Sequence, residues 1–220
     1  MSFEVYDYHT TNRNVLVTPA LRARLYHMKP GQVDARHTHD LGHEVFLILE
    51  GMAEFEIKGE KKVLGPGQMC IALADEIHQV RNALPDKPTI MYLSVTPHIQ
   101  PTHTYWTNDG WGSDTQKLPP RFLPNSNYGL PVDTTTPTAE MIDRHLAASD
   151  AVTAAVQANS QQQHDLAAAY QQAVANGDKA AATQARDAMW NSLFQVFKSI
   201  GDWGEVWNDF AARTVEETAG

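Results

Sequence analysis

Three of the chain's ten histidines crowd into one short stretch, Arg36-His37-Thr38-His39-Asp40-Leu41-Gly42-His43-Glu44. Imidazole nitrogens and carboxylate oxygens are donors for first-row transition metals, so this density points to metal chemistry before any other. Residues two apart on a strand share a face, which lets His37 and His39 offer their rings to one ion. Strict alternation would add His43 to that face and turn Glu44 away from it. Gly42 stands just before these two, and a glycine in a strand is where register can break. Which of them joins His37 and His39 therefore depends on the backbone at Gly42.

Metal ligands need rigid elements to hold them, and the surrounding sequence supplies extended ones. Between about Val15 and Thr96, short strand-forming runs alternate with turn signals. They are Arg22 to Met28 before Lys-Pro-Gly, Val45 to Leu49 before Glu-Gly, Ala53 to Lys58 before Gly-Glu, and Ile90 to Val95 before Thr-Pro. Many short, closely spaced strands predict a sandwich or barrel. Ala53-Glu54-Phe55-Glu56-Ile57-Lys58 alternates apolar and charged, so one of its faces is expected in an apolar core with residues such as Phe46 and Ile48.

From Pro97 to Pro137 the chain is rich in Pro, Gly, Asn, Asp and Thr, with Tyr105, Trp106, Trp111, Phe122 and Tyr128 spread through it. It reads as a strap along the barrel, anchored by its aromatics and leading to the next element; His98 and His103, just past the last strand, are placed where they could approach the histidine stretch, and read first as loop histidines. Beyond Thr136-Pro137, Ala and Gln dominate with helical periodicity, and proline at a first helical position is a start signal. Asn176-Gly177 supplies a stop and Asp178 a new cap, which predicts a hairpin of two long helices. The second carries Met189, Leu193, Phe194, Val196, Phe197 and Ile200. Gly201 and Gly204 are expected to break it before a last segment with Trp203, Val206, Trp207 and Phe210. That stripe reads as core or interface, packed on the barrel or on a partner subunit. The expected division is residues 1–97 for the barrel, 98–136 for the strap and 137–220 for the helical extension.

Composition sets bounds on function. Hydrophobic residues make up 42% and charged residues 20%, the balance of a soluble globular protein. No apolar run approaches the ~18 residues of a membrane span. The net charge of -9 sets nucleic acid aside as a partner, because its binders need basic surface to displace counterions. The single cysteine, Cys70, has no second cysteine for an internal disulfide and reads as a buried apolar thiol, not a nucleophile. The start MSFEVYDYHT lacks the basic residues and apolar run of a signal peptide, so the expected compartment is the cytoplasm.

With its flanking glycines, the histidine stretch resembles the first motif of the cupin superfamily. That motif has glycine, five residues, His-x-His, three or four residues, glutamate, six residues, glycine. Here these are Gly31, His37, His39, Glu44 and Gly51. The second motif has glycine, five residues, Pro-x-Gly, two residues, histidine, three residues, asparagine. It is matched at Gly67, His78 and Asn82, with Leu73 in place of the proline and Asp75 in place of the glycine. Asp tolerates left-handed backbone better than most residues, so the departure bears on the turn more than on the ligand.

The resemblance selects Glu44 over His43, which then reads as exposed, and adds His78. It implies a mainly β double-stranded β-helix, the cupin or jelly-roll barrel, followed here by a C-terminal α-helical hairpin. It also implies one divalent transition metal held by His37, His39, Glu44 and His78, a small-molecule substrate and a homodimer. Three neutral imidazoles and one carboxylate suit Fe, Mn, Ni, Cu or Zn better than calcium and leave ligand positions open. The expected activity is that of a mononuclear metal-dependent enzyme of dioxygenase type. The alternatives are a non-redox isomerase or lyase, and a cupin that binds a small ligand without turning it over.

Overall fold

The computed structural model describes residues 3–108 and 114–218; Trp111 lies outside them. The chain divides into two compact units, residues 1–134 with 211–220, and residues 135–210. Eight strands are found among the described residues: β1 (Arg13–Val17), β2 (Arg22–Met28), β3 (His43–Glu50), β4 (Ala53–Ile57), β5 (Glu60–Leu64), β6 (Met69–Ala72), β7 (His78–Asn82) and β8 (Thr89–Thr96). They form a five-stranded sheet in the order β1-β2-β8-β3-β6 and a three-stranded sheet in the order β5-β4-β7, with every pairing antiparallel. This is the double-stranded β-helix.

Cross-strand register fixes what faces inward. In the larger sheet Arg22, Val95, Glu44 and Ala72 stand side by side in one row. The next rows hold Leu93, Phe46 and Cys70, then Met91 and Ile48. The smaller sheet contributes Phe55 beside Val80, and Ile57 beside His78. Phe46, Ile48, Phe55, Val80, Met91 and Leu93 are buried in one cluster with Ile57 and Cys70 packed against it. The barrel thus has apolar rows through its body and one polar row at an end, where Glu44 and His78 face each other from opposite sheets.

At the other end Asn82 acts as a latch. Its side-chain amide donates to the carbonyls of Met28, Lys29 and Lys87 and its oxygen accepts from Thr89 Oγ1. Nearby, Gly51 sits at φ +80 with the Pro88 and Thr89 backbone so close that a Cβ would lie within 3 Å of both.

The hairpin consists of α1 (Thr138–Ala175) and α2 (Lys179–Thr218). Gly177 turns the chain at φ +70 and Asp178 Oδ1 accepts the Ala181 N–H, the stop and cap expected from the sequence. The break expected at Gly201 and Gly204 does not occur; α2 runs through both. Glycine inside a helix costs only about 1 kcal/mol, and the aromatic residues just beyond have a partner. The ring of His145 on α1 lies within 6 Å of Trp203, Trp207 and Phe210, with Trp203 Nε1 donating to its Nδ1. Among the described residues no helix is long and apolar enough to cross a membrane.

Candidate metal centre

The polar end of the barrel is assembled from three stretches of chain. Glu44 points inward from β3 because the strand begins only at His43, after a bend at Asp40-Leu41, so that Glu44, Phe46 and Ile48 share the buried face. Gly42 makes this possible: a Cβ there would lie 2.7 Å from Val95 Cγ1 and 3.0 Å from the Pro97 carbonyl oxygen. His43 falls on the exposed side, its Nδ1 accepting the Ala74 N–H. His37 pairs with His78 in an isolated antiparallel bridge that carries the segment 37–39 alongside β7. Asp75 takes the left-handed backbone of the motif glycine, at φ +62, and donates its N–H to the His39 carbonyl at 3.0 Å.

These elements bring together the four side chains singled out from sequence. Ligand atoms of His37, His39, Glu44 and His78 all lie within 4.8 Å of one another. The imidazole Nε2 atoms of His39 and His78 stand 2.9 and 3.0 Å from Glu44 Oε2, and that of His37 3.8 Å from the same oxygen. Glu44, His39 and His78 are almost fully buried.

The opposite ring nitrogens determine the protonation pattern. Nδ1 of His37 faces the Ala35 carbonyl at 2.9 Å, Nδ1 of His78 the Glu76 carbonyl at 2.8 Å, and Nδ1 of His39 the Thr102 carbonyl. A carbonyl only accepts, so each Nδ1 carries a proton, and a ring in its neutral form turns the Nε2 lone pair toward the carboxylate. Three lone pairs and an anionic oxygen converging in a buried place repel one another unless something positive lies among them. The spacing suits a cation, because donors each about 2.1 Å from one ion stand about 3.0 Å apart at right angles. The cluster is therefore compatible with a metal ion, and nothing in the donor set specifies which.

Burial alone would push the Glu44 carboxyl up; the surrounding imidazoles, His39 foremost, hold it well below the usual carboxylate range, so it stays ionised. Burial pushes His37 down, which keeps it in the neutral form that a ligand needs. Burial and then the Glu44 charge push the Cys70 thiol up to about 12. Cys70 is thus a packed thiol and not a nucleophile.

Two further groups stand at this end, one that the sequence reading passed over and one that it placed first in a loop. Arg22 is 7% exposed, with Nη2 3.4 Å from Glu44 Oε1 and its guanidinium 5.9 Å from the centre of the Tyr128 ring. One glutamate oxygen thus faces three imidazoles and the other an arginine. A cue was available, since Arg22 has the same phase in its strand as Tyr26 and Met28, but the run Arg-Ala-Arg-Leu-Tyr-His-Met does not alternate cleanly.

The second group is His103. The strap pairs with the ligand segment through a Thr38–Thr104 bridge, which sets the His103 ring 4.9 Å from that of His37 and 4.7 Å from that of His39. Its Nδ1 shares a 2.7 Å hydrogen bond with Thr102 Oγ1, which meets the Tyr128 hydroxyl at 2.7 Å. His98, also buried, packs edge-on against Tyr128. Neither is the loop histidine expected, because the strap lies on the barrel end and pairs with it. Burial first, then the neighbouring imidazoles, pushes His103 far below its usual range.

A cavity of about 410 Å³ opens between the sheets, its wall apolar at Phe55, Ile57, Leu64, Cys70 and Ile71 and charged at Lys58, Lys62, Glu60 and Glu76. Ile57 is the cross-strand partner of His78, but none of the four clustered side chains lines this cavity.

The family model described as "Cupin domain" matches residues 24–95. No curated protein matches the sequence. Among solved structures, one similar chain is a conserved double-stranded β-helix protein from Klebsiella pneumoniae, at 25% identity and TM-score 0.40 over 44% of this chain and 91% of that one. The KdgF structure from Halomonas sp. is similar at 26% identity and TM-score 0.37, over 40% of this chain and 78% of that one. A DMSP lyase, DddQ from Ruegeria pomeroyi, is similar at 24% identity and TM-score 0.37, over 43% of this chain and 47% of that one. With the family match lying on the strands that enclose the His/His/Glu/His cluster, the barrel of this chain is a cupin domain.

Proposed function

We propose that the chain is a metal-dependent enzyme that acts on a small organic molecule at the polar end of its barrel. In this reading His37, His39, Glu44 and His78 hold one divalent transition metal. The observation that carries it is the convergence of three Nε2 atoms, each ring having its Nδ1 turned to a carbonyl, on one ionised carboxylate oxygen. The metal, when bound, supplies Lewis acidity or a redox centre with positions left for substrate. The chain's own groups turn each Nδ1 to a carbonyl and exclude water by burying the donors.

One observation bears on the kind of chemistry. Arg22 spends part of the Glu44 charge on a second cation, which leaves the ion more positive and favours polarising a carbonyl or hydroxyl over reaching a higher oxidation state. A non-redox isomerase or lyase is accordingly the first reading, and dioxygenase-type chemistry the second. The proposed protein partner is a second copy of the chain, a reading supported by apolar side chains left uncovered on α2, among them Phe197 at 59% exposure.

The test is metal analysis of the purified protein beside its His39→Ala variant. Loss of a single outer partner costs metal sites about 10 to 100-fold in affinity, so loss of a ligand is expected to cost at least that, with the fold retained. Full occupancy in His39→Ala refutes the ligand set. Oxygen uptake with small phenols, diketones and thiols then separates the two chemistries. Turnover without oxygen consumption supports the first reading, and stoichiometric uptake the second.

A further inference from the structure

The three imidazoles of the cluster are not oriented in the same way. His37 and His78 each turn Nδ1 to the carbonyl two residues before them, Ala35 and Glu76, so their own stretch of backbone sets the ring. His39 takes its acceptor from the Thr102 carbonyl, 63 positions later in the chain. Thr102 lies on the strap, beyond the residues 24–95 that match the cupin family. A carbonyl behind a ligating histidine fixes its tautomer and the direction of its ring. The aim of His39 therefore depends on where the strap holds Thr102.

The strap on either side of Thr102 is tied down through its backbone. His103 accepts the Arg121 N–H at 2.8 Å, and Thr104 exchanges two hydrogen bonds with Thr38. Thr102 itself is held by its hydroxyl, which meets His103 Nδ1 and the Tyr128 hydroxyl, each at 2.7 Å. Tyr128 closes a short 3-10 turn, Asn125–Tyr128, and is 4% exposed. Its ring lies between the His98 ring, edge-on at 4.7 Å, and the Arg22 guanidinium, and its carbonyl accepts the Asn14 amide from β1 at 3.1 Å. The Tyr128 hydroxyl is thus a fixed point, held by groups from β1, β2 and the strap.

Resting on the metal reading above, we propose that Tyr128 is a positioning residue for the metal centre: its hydroxyl, through Thr102, fixes the carbonyl that orients His39. Tyr128 touches none of the four ligands, and acts only through Thr102. The coupling is reciprocal, so an ion held by His39 also favours the strap in its docked place.

The experiment uses the full chain and Co²⁺, with calorimetry for affinity and visible absorption at saturation for the geometry of the ligands. Tyr128→Phe and Thr102→Val each remove one hydroxyl and keep the shape. Each is expected to bind Co²⁺ about 10-fold more weakly, the lower end of the cost of losing an outer partner, and to shift the absorption bands. Thr102→Ser keeps the hydroxyl and is expected to bind as wild type does. The double variant Tyr128→Phe/Thr102→Val is expected to lose no more than the weaker of the two singles, because both substitutions cut the same link. If one single variant does not fold, the other reports on that link by itself. A Tyr128 that only packs the strap would lower the urea midpoint while leaving Co²⁺ affinity and absorption at wild-type values. That outcome, or losses that add in the double variant, overturns this proposal alone. Absence of Co²⁺ binding to wild type overturns the metal reading, and this inference with it.

Discussion

At Gly42 the space for a side chain is already taken: a Cβ would lie 2.7 Å from Val95 Cγ1 and 3.0 Å from the Pro97 carbonyl oxygen. Val95 belongs to the inward row that holds Glu44, so a methyl group there pushes on the strand that aims the carboxylate. Gly42→Ala is expected to destabilise the fold by about 1–3 kcal/mol, the usual cost of overpacking. It should also weaken metal binding, because Glu44 lies only two residues on. Chemical denaturation in the presence of a chelator isolates the first effect, and calorimetric metal titration the second. Wild-type values for both would mean that the bend absorbs the methyl. The same residue explains what alternation could not decide: the break in register places Glu44, and not His43, beside the imidazoles.

Among the elements, those whose signals are local were legible in the sequence. Turn residues bounded the strands, so that Arg22–Met28 was readable to its ends, and the Asn176-Gly177-Asp178 turn was readable from capping chemistry alone. The four clustered side chains followed from motif spacing. Arg22 and His103 were not legible, because each reaches the cluster through tertiary pairing: Arg22 across the β2-β8-β3 register, His103 through the Thr38–Thr104 bridge. The apolar stripe of α2 was legible as a stripe but not in its division. Trp203, Trp207 and Phe210 turn to His145, while Trp190, Phe194, Phe197 and Ile200 stay exposed, Trp190 at 57%. From Met189 to Ile200 the helix carries a single charged residue, Lys198, so this face gives little repulsion to a like surface and few cations to anionic lipid. Sedimentation of the full chain at micromolar concentration is expected to show a dimer, and Phe197→Glu a shift toward monomer. Identical masses for the two would remove this face from the assembly.

At the scale of the whole molecule, the cupin barrel and its strap are joined by histidines that the fold keeps uncharged. Burial, with the Arg22 charge and then His39 adding to it, lowers His98 to about 3, and His103 is pushed lower still by burial and by His37 and His39. In the unfolded chain both titrate near 6.5. Above that value neither state takes a proton and the full stability is present. Below it the unfolded chain binds protons that the fold refuses, so stability is lost as pH falls through the interval from about 6.5 toward 3. Each unit of depression is worth about 1.4 kcal/mol for a buried group, which makes His98 alone a matter of several kcal/mol at the acid end. His78 acts in the other direction: burial lowers its pKa, but the Glu44 interactions outweigh burial and raise it, so protonation at mildly acid pH stabilises the fold. The net charge of -9 also relaxes on acidification, which opposes the loss. Three depressed histidines, His37, His98 and His103, against one raised one decide the sign. With a chelator present to remove metal release from the balance, the urea midpoint is expected to fall between about pH 7.5 and pH 5, and to fall less in His98→Gln. A midpoint independent of pH over that range would show that His98 and His103 take up protons without the strap leaving the barrel.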